Sequence, residues 1–339
     1  MSDGFPWTAR SVGEGVGAFD QFFAEEVLAR FPSAELARRS DAARLDFGSL
    51  VLAVTCDGFT VDPLFFPGGD IGKLAVCGTA NDLLTEGARP EWLLMSLVLE
   101  EGVDPNVVRR VLDSIGDQAS RSGATLVGGD TKTIKSPMPG LIVMITGLGR
   151  IARQGPALGF EAVRAGDELV VTGPVGAHSV AVLSAREGLG FEQVVSSDCR
   201  DVGLSIGSLV MSSPWIHALR DATRGGLLGV LHELASATGM AVEIDADAVP
   251  VAREVIMAAE MLGLDPLELT NEGCFVIAVE AGTARRLTAE LRATYGFPEA
   301  AAIGEVRDRA DPLAKVLLRR GGEVRVSVRP LSVGVPRLC

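Results

Sequence analysis

Tyrosine is almost missing from this chain, with one in 339 residues, and histidine occurs three times. The five cysteines (Cys56, Cys77, Cys199, Cys274 and Cys339) form no C-x-x-C pair. Scattered thiols beside His178, His217 and His232 argue against a zinc site, which needs regular ligand spacing. They fit reduced thiols better than a disulfide framework. Positive charge is also short: Lys+Arg 31 against Asp+Glu 44 gives −13. Such a balance argues against nucleic acid or an anionic membrane as the main partner. A bound nucleotide is still allowed, because metal ions can offset its charge. No apolar run reaches the roughly 18 residues of a membrane span, and no signal-like apolar segment stands at the start. A soluble, cytoplasmic protein is expected.

What is present is apolar residues at 47%, and 40 glycines. The length predicts two domains, each with its own core. Phenylalanines at helical spacing predict a core-facing helix over 18–31. A buried strand over 50–56 ends at Asp57, and a Pro/Gly loop leads into a helix over 71–87. A strand over 92–99 and a helix over 104–122 follow, the helix capped by Asp104 with Pro105 in its first turn. A short strand over 125–127 runs into a loop, Gly128-Gly129-Asp130-Thr131-Lys132, and a strand over 141–148 follows. The second half restarts with a strand near 168–172. Helices are expected near 177–187, 202–211, 225–238, 251–262 and 282–295. Strands are expected near 240–245, 274–280, 301–306, 314–319 and 323–328. The fold class is α+β in two domains. We divide the chain into an N-terminal segment and helix (1–45), an N-terminal domain (46–155), a C-terminal domain (156–328) and a tail (329–339).

Four aspartates sit at element ends. Asp41 precedes the first strand, Asp57 closes it, Asp82 follows Asn81 in a helix, and Asp130 stands behind two glycines. Together they suggest a divalent-metal site, since hard oxygen ligands suit Mg²⁺ and the phosphates it carries. Each alone reads better as a capping or turn residue, so the case rests on their joint placement. Gly68-Gly69-Asp70-Ile71-Gly72-Lys73 opens a helix whose N–H groups favour an anion, with Lys73 adding charge. Neither a Walker A loop nor a Rossmann fingerprint is present. Asp221-Ala222-Thr223-Arg224-Gly225-Gly226 is a second such start, where Asp221 and Arg224 can hold metal and phosphate. Lys132 can stabilise a transferred phosphoryl group. Glu272, the only acid in the apolar block 270–278, is a candidate base with raised proton affinity.

The chain ends Pro336-Arg337-Leu338-Cys339. Two prolines and a glycine before it predict an extended arm, able to reach roughly 35 Å from residue 329. A thiol on such an arm can enter a site and leave again.

These motifs together resemble the HypE family of hydrogenase maturation proteins. The resemblance runs over about 41–339. It is carried by 62–76, Asn81-Asp82-Leu83, Gly129-Asp130-Thr131-Lys132, 185–189, 217–221, Asn271-Glu272-Gly273 and the closing Pro-Arg-Leu-Cys. The internal loops are similar to the wider ATP-binding superfamily of aminoimidazole ribonucleotide synthetase, selenophosphate synthetase and thiamine-monophosphate kinase. The resemblance implies an N-terminal domain that dimerises through its sheets, and ATP in the cleft between domains. It implies Mg²⁺ on Asp41, Asp57, Asp82 and Asp130, with Asp221 near. It implies nucleotide contacts from Lys73, Asn81, Asp82, Gly129, Thr131, Asp221 and Arg224. The implied reaction is ATP-dependent dehydration of a carbamoyl group on the Cys339 thiol to a thiocyanate. Glu272 would act as base and Lys132 as charge stabiliser. HypF would load the thiol, and the HypC–HypD complex would receive the cyano group for [NiFe] hydrogenase. Two other readings stand beside this one. The first is another ATP-dependent activator, selenophosphate-synthetase-like, although residues 1–20 hold no cysteine. The second is a non-catalytic scaffold for HypF or HypC–HypD.

Overall fold

The computed structural model describes residues 21–135, 137–138, 140–153, 155–308 and 315–327. The terminal arm with Cys339 and the glycine-rich stretch 11–17 lie outside them.

The first lobe is a five-stranded sheet with helices on one face. Its strands are β1 (Ala43–Asp46), β2 (Val51–Phe59), β5 (Trp92–Glu100), β6 (Thr125–Ile134) and β7 (Leu141–Arg150), in the order β1-β2-β7-β5-β6. A two-stranded ribbon, β3 (Phe65–Phe66) with β4 (Gly69–Asp70), stands apart. All sheet neighbours are antiparallel except β5 and β6. Alternation decides the faces. Leu141, Val143 and Ile145 are buried on one side of β7, while Met144 on the other is exposed. A short helix, α1 (Ala34–Ala37), precedes the sheet.

Two long helices cover the buried face. The first, α2 (Ile71–Thr85), is apolar or small all round, and every residue except Lys73 and Asp82 is buried. Such a helix must lie in the middle of a protein. It packs on β2 and β7, on the next helix, and on the second lobe. That next helix, α3 (Pro105–Ser122), is amphipathic, and buries Val111, Ile115 and Ala119 at four-residue spacing. Asp104 caps it through the Asn106 N–H at 2.9 Å, and Gly123 ends it in the left-handed region.

The second lobe is a seven-stranded mixed sheet. Its strands are β8 (Glu168–Val171), β9 (Ile216–Asp221), β10 (Ala241–Asp245), β11 (Phe275–Val279), β12 (Ala301–Arg307), β13 (Val316–Arg320) and β14 (Glu323–Ser327). Their order is β14-β13-β10-β12-β8-β11-β9. The helices are α4 (Ala177–Glu187), α5 (Gly203–Ser212), α6 (Gly226–Thr238), α7 (Arg253–Leu262) and α8 (Ala284–Ala293). Among the described residues, no helix is long and apolar enough to cross a membrane.

Several expectations need correction. Of the expected 18–31 helix, the described residues hold a π-helical turn over Phe23–Leu28 in which no residue is buried, and residues 18–20 lie outside the described residues. Phe23 and Phe31 line a cavity instead of a core. Asp57 does not end its strand. It lies inside β2, paired with Ile145. The 128–132 loop is the middle of β6, an exposed edge strand. Strands β1 and β9 have no counterpart in the sequence reading. Cys56 is exposed, not buried.

Candidate active site

The two lobes meet on a cavity of about 1460 Å³. Its floor is acidic. Asp57 comes from the middle of β2, Asp82 from α2, Asp221 from the end of β9 and Asp41 from the turn before β1, and all four line it. Carboxylate oxygens of Asp41, Asp82 and Asp221 lie within 4.8 Å of one another. The segment carrying Asp41 is tied down at a distance. Glu86, buried just past the end of α2, pairs with Arg38 at 3.0 Å and with Arg44. Arg38 also reaches Glu161 of the second lobe at 3.0 Å.

The cluster is organised by two residues to which the sequence reading gave no role: Thr55, outside every motif, and Arg220, inside the 217–221 motif. The Thr55 hydroxyl donates to Asp82 Oδ2 at 2.8 Å and lies 2.9 Å from the Asp41 carbonyl. Arg220 Nε stands 3.0 Å from Asp41 Oδ2, and the same guanidinium contacts Glu233 at 3.2 Å and the Arg39 carbonyl at 2.8 Å. Strand alternation could have pointed to Thr55, which must face inward if Cys56 faces out.

Enclosure raises the proton affinity of the whole cluster. Burial pushes Asp41 well above the carboxylate range, partly offset by Arg220. Burial, and then the charges of Asp221, Asp41 and Asp57, does the same to Asp82. Asp221 is pushed up to about 6, mainly by burial. Asp57 has solvent-accessible surface, but that surface is cavity wall, and enclosure raises it against the opposing charge of Arg224. Three acids as close as Asp41, Asp82 and Asp221 cannot all ionise without a counter-charge. Moreover, Asp41 Oδ2 is buried without a properly directed hydrogen bond. An all-oxygen donor set whose charge Arg220 only partly offsets fits a hard divalent cation.

Glu272 sits at the seam behind this floor, 6% exposed. Burial holds its carboxyl well above the usual range, and Cys199, Asp221, Asp198 and Asp57 add to the effect. Asn271 beside it ties the segment to the Asp221 end of the cavity. Its amide donates to the Ala222 and Leu269 carbonyls, both at 2.9 Å, and accepts from the Gly176 N–H at 2.7 Å.

The remaining candidates fall elsewhere. Asn81 is buried and does not line the cavity. Its amide donates to the Arg200 carbonyl at 3.1 Å and accepts from the Val202 N–H at 2.9 Å. Lys73 Nζ donates to the Gly68 carbonyl at 2.8 Å. The first-turn N–H groups of Gly72 and Lys73, which an anion would need, already donate to Asp70. Arg224 lines the cavity, just before α6. Gly129, Asp130, Thr131 and Lys132 all lie on β6, outside the cavity within this chain. Asp130 pairs with Lys132 at 2.6 Å in the open, and that pairing lowers its pKa. Gly129 is a packing glycine: a Cβ there would meet the Met95 carbonyl oxygen at 1.8 Å.

Two lobes, each built on its own mixed sheet and joined over an acid-floored cavity, define an AIR-synthase-related protein. The family models agree. "AIR synthase related protein, N-terminal domain" matches residues 39–151, and the corresponding C-terminal domain matches 164–315. Carbamoyl dehydratase HypE of Escherichia coli K12 is 39% identical over 336 residues, covering 96% of this chain and 98% of that protein. The crystal structure of a HypE–HypF complex superposes with a TM-score of 0.84 at 35% identity, covering 91% of this chain and 99% of the matched one. A HypE structure in complex with ATP gives 0.80 at 36% identity, covering 97% and 98%. The chain belongs to the HypE family of hydrogenase maturation proteins.

Proposed function

We propose that this chain is an ATP-dependent carbamoyl dehydratase whose substrate is its own C-terminal thiol, in the maturation of [NiFe] hydrogenase. The observation that carries the reading is the enclosed floor of Asp41, Asp57, Asp82 and Asp221 with Glu272 buried behind it. The ATP-bound relative supports a nucleotide in this cavity. The relative solved with HypF supports a HypF-like partner as the source of the carbamoyl group on Cys339.

The chemistry follows from the bond that must break. An amide oxygen is a poor leaving group. Transfer of the γ-phosphoryl group of ATP to that oxygen, with loss of ADP, makes phosphate the leaving group. The nitrogen gives up one proton as the oxygen is phosphorylated and the other as the carbon–oxygen bond breaks, and one of the two ends on the released phosphate. The net change is S-carbamoyl plus ATP to S-cyano plus ADP, phosphate and one proton. Glu272 takes the proton from nitrogen, and its raised proton affinity suits that task near neutral pH. Asp41, Asp82 and Asp221, with Asp57 adjacent, would hold Mg²⁺. The ion, when bound, offsets phosphate charge. Arg224, which lines the same cavity, would add positive charge for the phosphates.

Lys132 and Asp130 call for a second copy of the chain. The face of the first sheet away from α2 carries the exposed apolar residues Leu94 and Met144. The edge strand β6 exposes Leu126 and Val127 beside the Asp130–Lys132 pair. An apolar surface of this kind marks an association site. Dimerisation through it carries Lys132 toward the partner's reacting group, where it stabilises negative charge. The cyano group then passes from Cys339 to a HypC–HypD-type acceptor.

Mass spectrometry of the C-terminal peptide tests the reading. The protein is incubated with HypF and carbamoyl phosphate, and then with ATP. A carbamoyl adduct on Cys339 that loses water only after ATP is the expected result. Carbamoylation without dehydration would leave a scaffold, and an unmodified Cys339 would end the proposal.

A further inference from the structure

Asn271-Glu272-Gly273 precedes β11, and its backbone is held mostly by side chains and loop groups. The N–H groups of Glu272 and Gly273 both donate to the carboxylate of Asp198, at 3.0 Å and 2.9 Å. These are the two peptide groups that flank the Glu272 Cα. The Glu272 carbonyl receives the Arg200 N–H at 3.3 Å and the Asn81 amide at 3.4 Å. Every backbone polar group of Glu272 is therefore bound to the loop 198–200 or to α2. The fit is close enough to require glycine at 273, where a Cβ would lie 2.0 Å from the Asp198 carbonyl oxygen. The same loop is anchored to the first lobe: the Ser197 N–H donates to the Pro67 carbonyl at 2.8 Å.

We propose that Asp198 is the positioning residue for Glu272, fixing the backbone on both sides of the base so that only its side-chain torsions remain free. Two N–H groups received by the two oxygens of one carboxylate define a direction as well as a distance. Misplacing a base by about 1 Å costs on the order of 10²-fold in rate. The clamp also joins three places. Asp198 holds Glu272, Asn81 beside Asp82 holds the same segment, and Asn271 reaches Ala222 beside Asp221. The base is thereby fixed relative to the acid floor. This inference rests on Glu272 being the base.

The test is a double-mutant cycle read by single-turnover dehydration of carbamoylated Cys339. Asp198→Ala is expected to lower the rate by about 10- to 100-fold, with KM for ATP moved less than about two-fold. Asp198→Asn, which keeps the shape and one acceptor, should fall between the two and stays folded if the alanine variant does not. In a Glu272→Gln background the same Asp198 changes should cost less than about two-fold, since a residue acting through Glu272 has nothing left to position. Equal losses in both backgrounds, or a full rate in Asp198→Asn, would overturn the positioning role. A full rate in Glu272→Gln would instead remove the base assignment, and the positioning role with it.

Discussion

The cavity aspartates and the edge-strand aspartate carry the same side chain with proton affinities shifted in opposite directions. Asp221 ends β9 inside the protein, where burial pushes it up to about 6. Asp130 lies on the surface of β6, where Lys132 at 2.6 Å holds it below its usual range. In the sequence both stand within a few residues of a glycine pair. What separates them is solvent. A carboxylate among other enclosed carboxylates needs a cation, whereas one in water with a lysine beside it is already balanced. Enclosure, more than the number of acids, is what makes the cavity floor a candidate metal site.

The largest effect should come from Asp82. Asp82→Asn removes a central ligand and should lower the dehydration rate by about 10²- to 10³-fold in a single-turnover assay. Next is Lys132, which belongs to the other half of the comparison. Lys132→Met and Glu272→Gln should each lower the homodimer's rate by about 10²-fold, leaving a measurable residue. When equal amounts are mixed and allowed to exchange subunits, activity should return to about one quarter of wild type, because half the dimers then hold one intact site. No recovery would put Lys132 in the same chain's site or in none.

A smaller effect concerns stability. The folded pKa of Asp221 is raised, so the native state binds its proton more tightly than the unfolded chain does. Its contribution is therefore fully present below the unfolded value near 3.8 and is lost as pH rises through about 6. Asp221→Asn should accordingly raise the melting temperature at pH 7 without divalent cation. That gain should vanish below about pH 4. Added Mg²⁺ should stabilise the wild type more than the variant. The smallest effect is expected for Asp130→Asn, which should leave the melting temperature unchanged, as for most exposed ion pairs.

The local signals were legible and the assembled ones were not. Asp104, Pro105 and Gly123 bracket α3 by rules that act within a few residues. Asn271-Glu272-Gly273 was recognisable as an acid beside an apolar strand. By contrast, Gly128-Gly129 looked like a turn because glycine usually marks one. Here Gly129 is required by the close approach of Met95 on the neighbouring strand, a contact that no local pattern carries. Strand β9 was missed because its charged end, Arg220-Asp221, breaks the apolar run. That end is polar because it forms the cavity wall. Thr55, Arg220 and Asp198 act only through partners far away in sequence. Lys73 shows the reverse case: the motif was right for an anion, but Asp70 already occupies the helix N-terminus.

The decisive measurement is calorimetric titration of ATP into Asp82→Asn and Asp130→Asn, each with and without Mg²⁺. If enclosure makes the site, Asp82→Asn loses the Mg²⁺-dependent gain in ATP affinity, while Asp130→Asn keeps it to within about two-fold. Equal loss in the two variants, or a full Mg²⁺ response in Asp82→Asn, would contradict the assignment of the metal to the cavity floor.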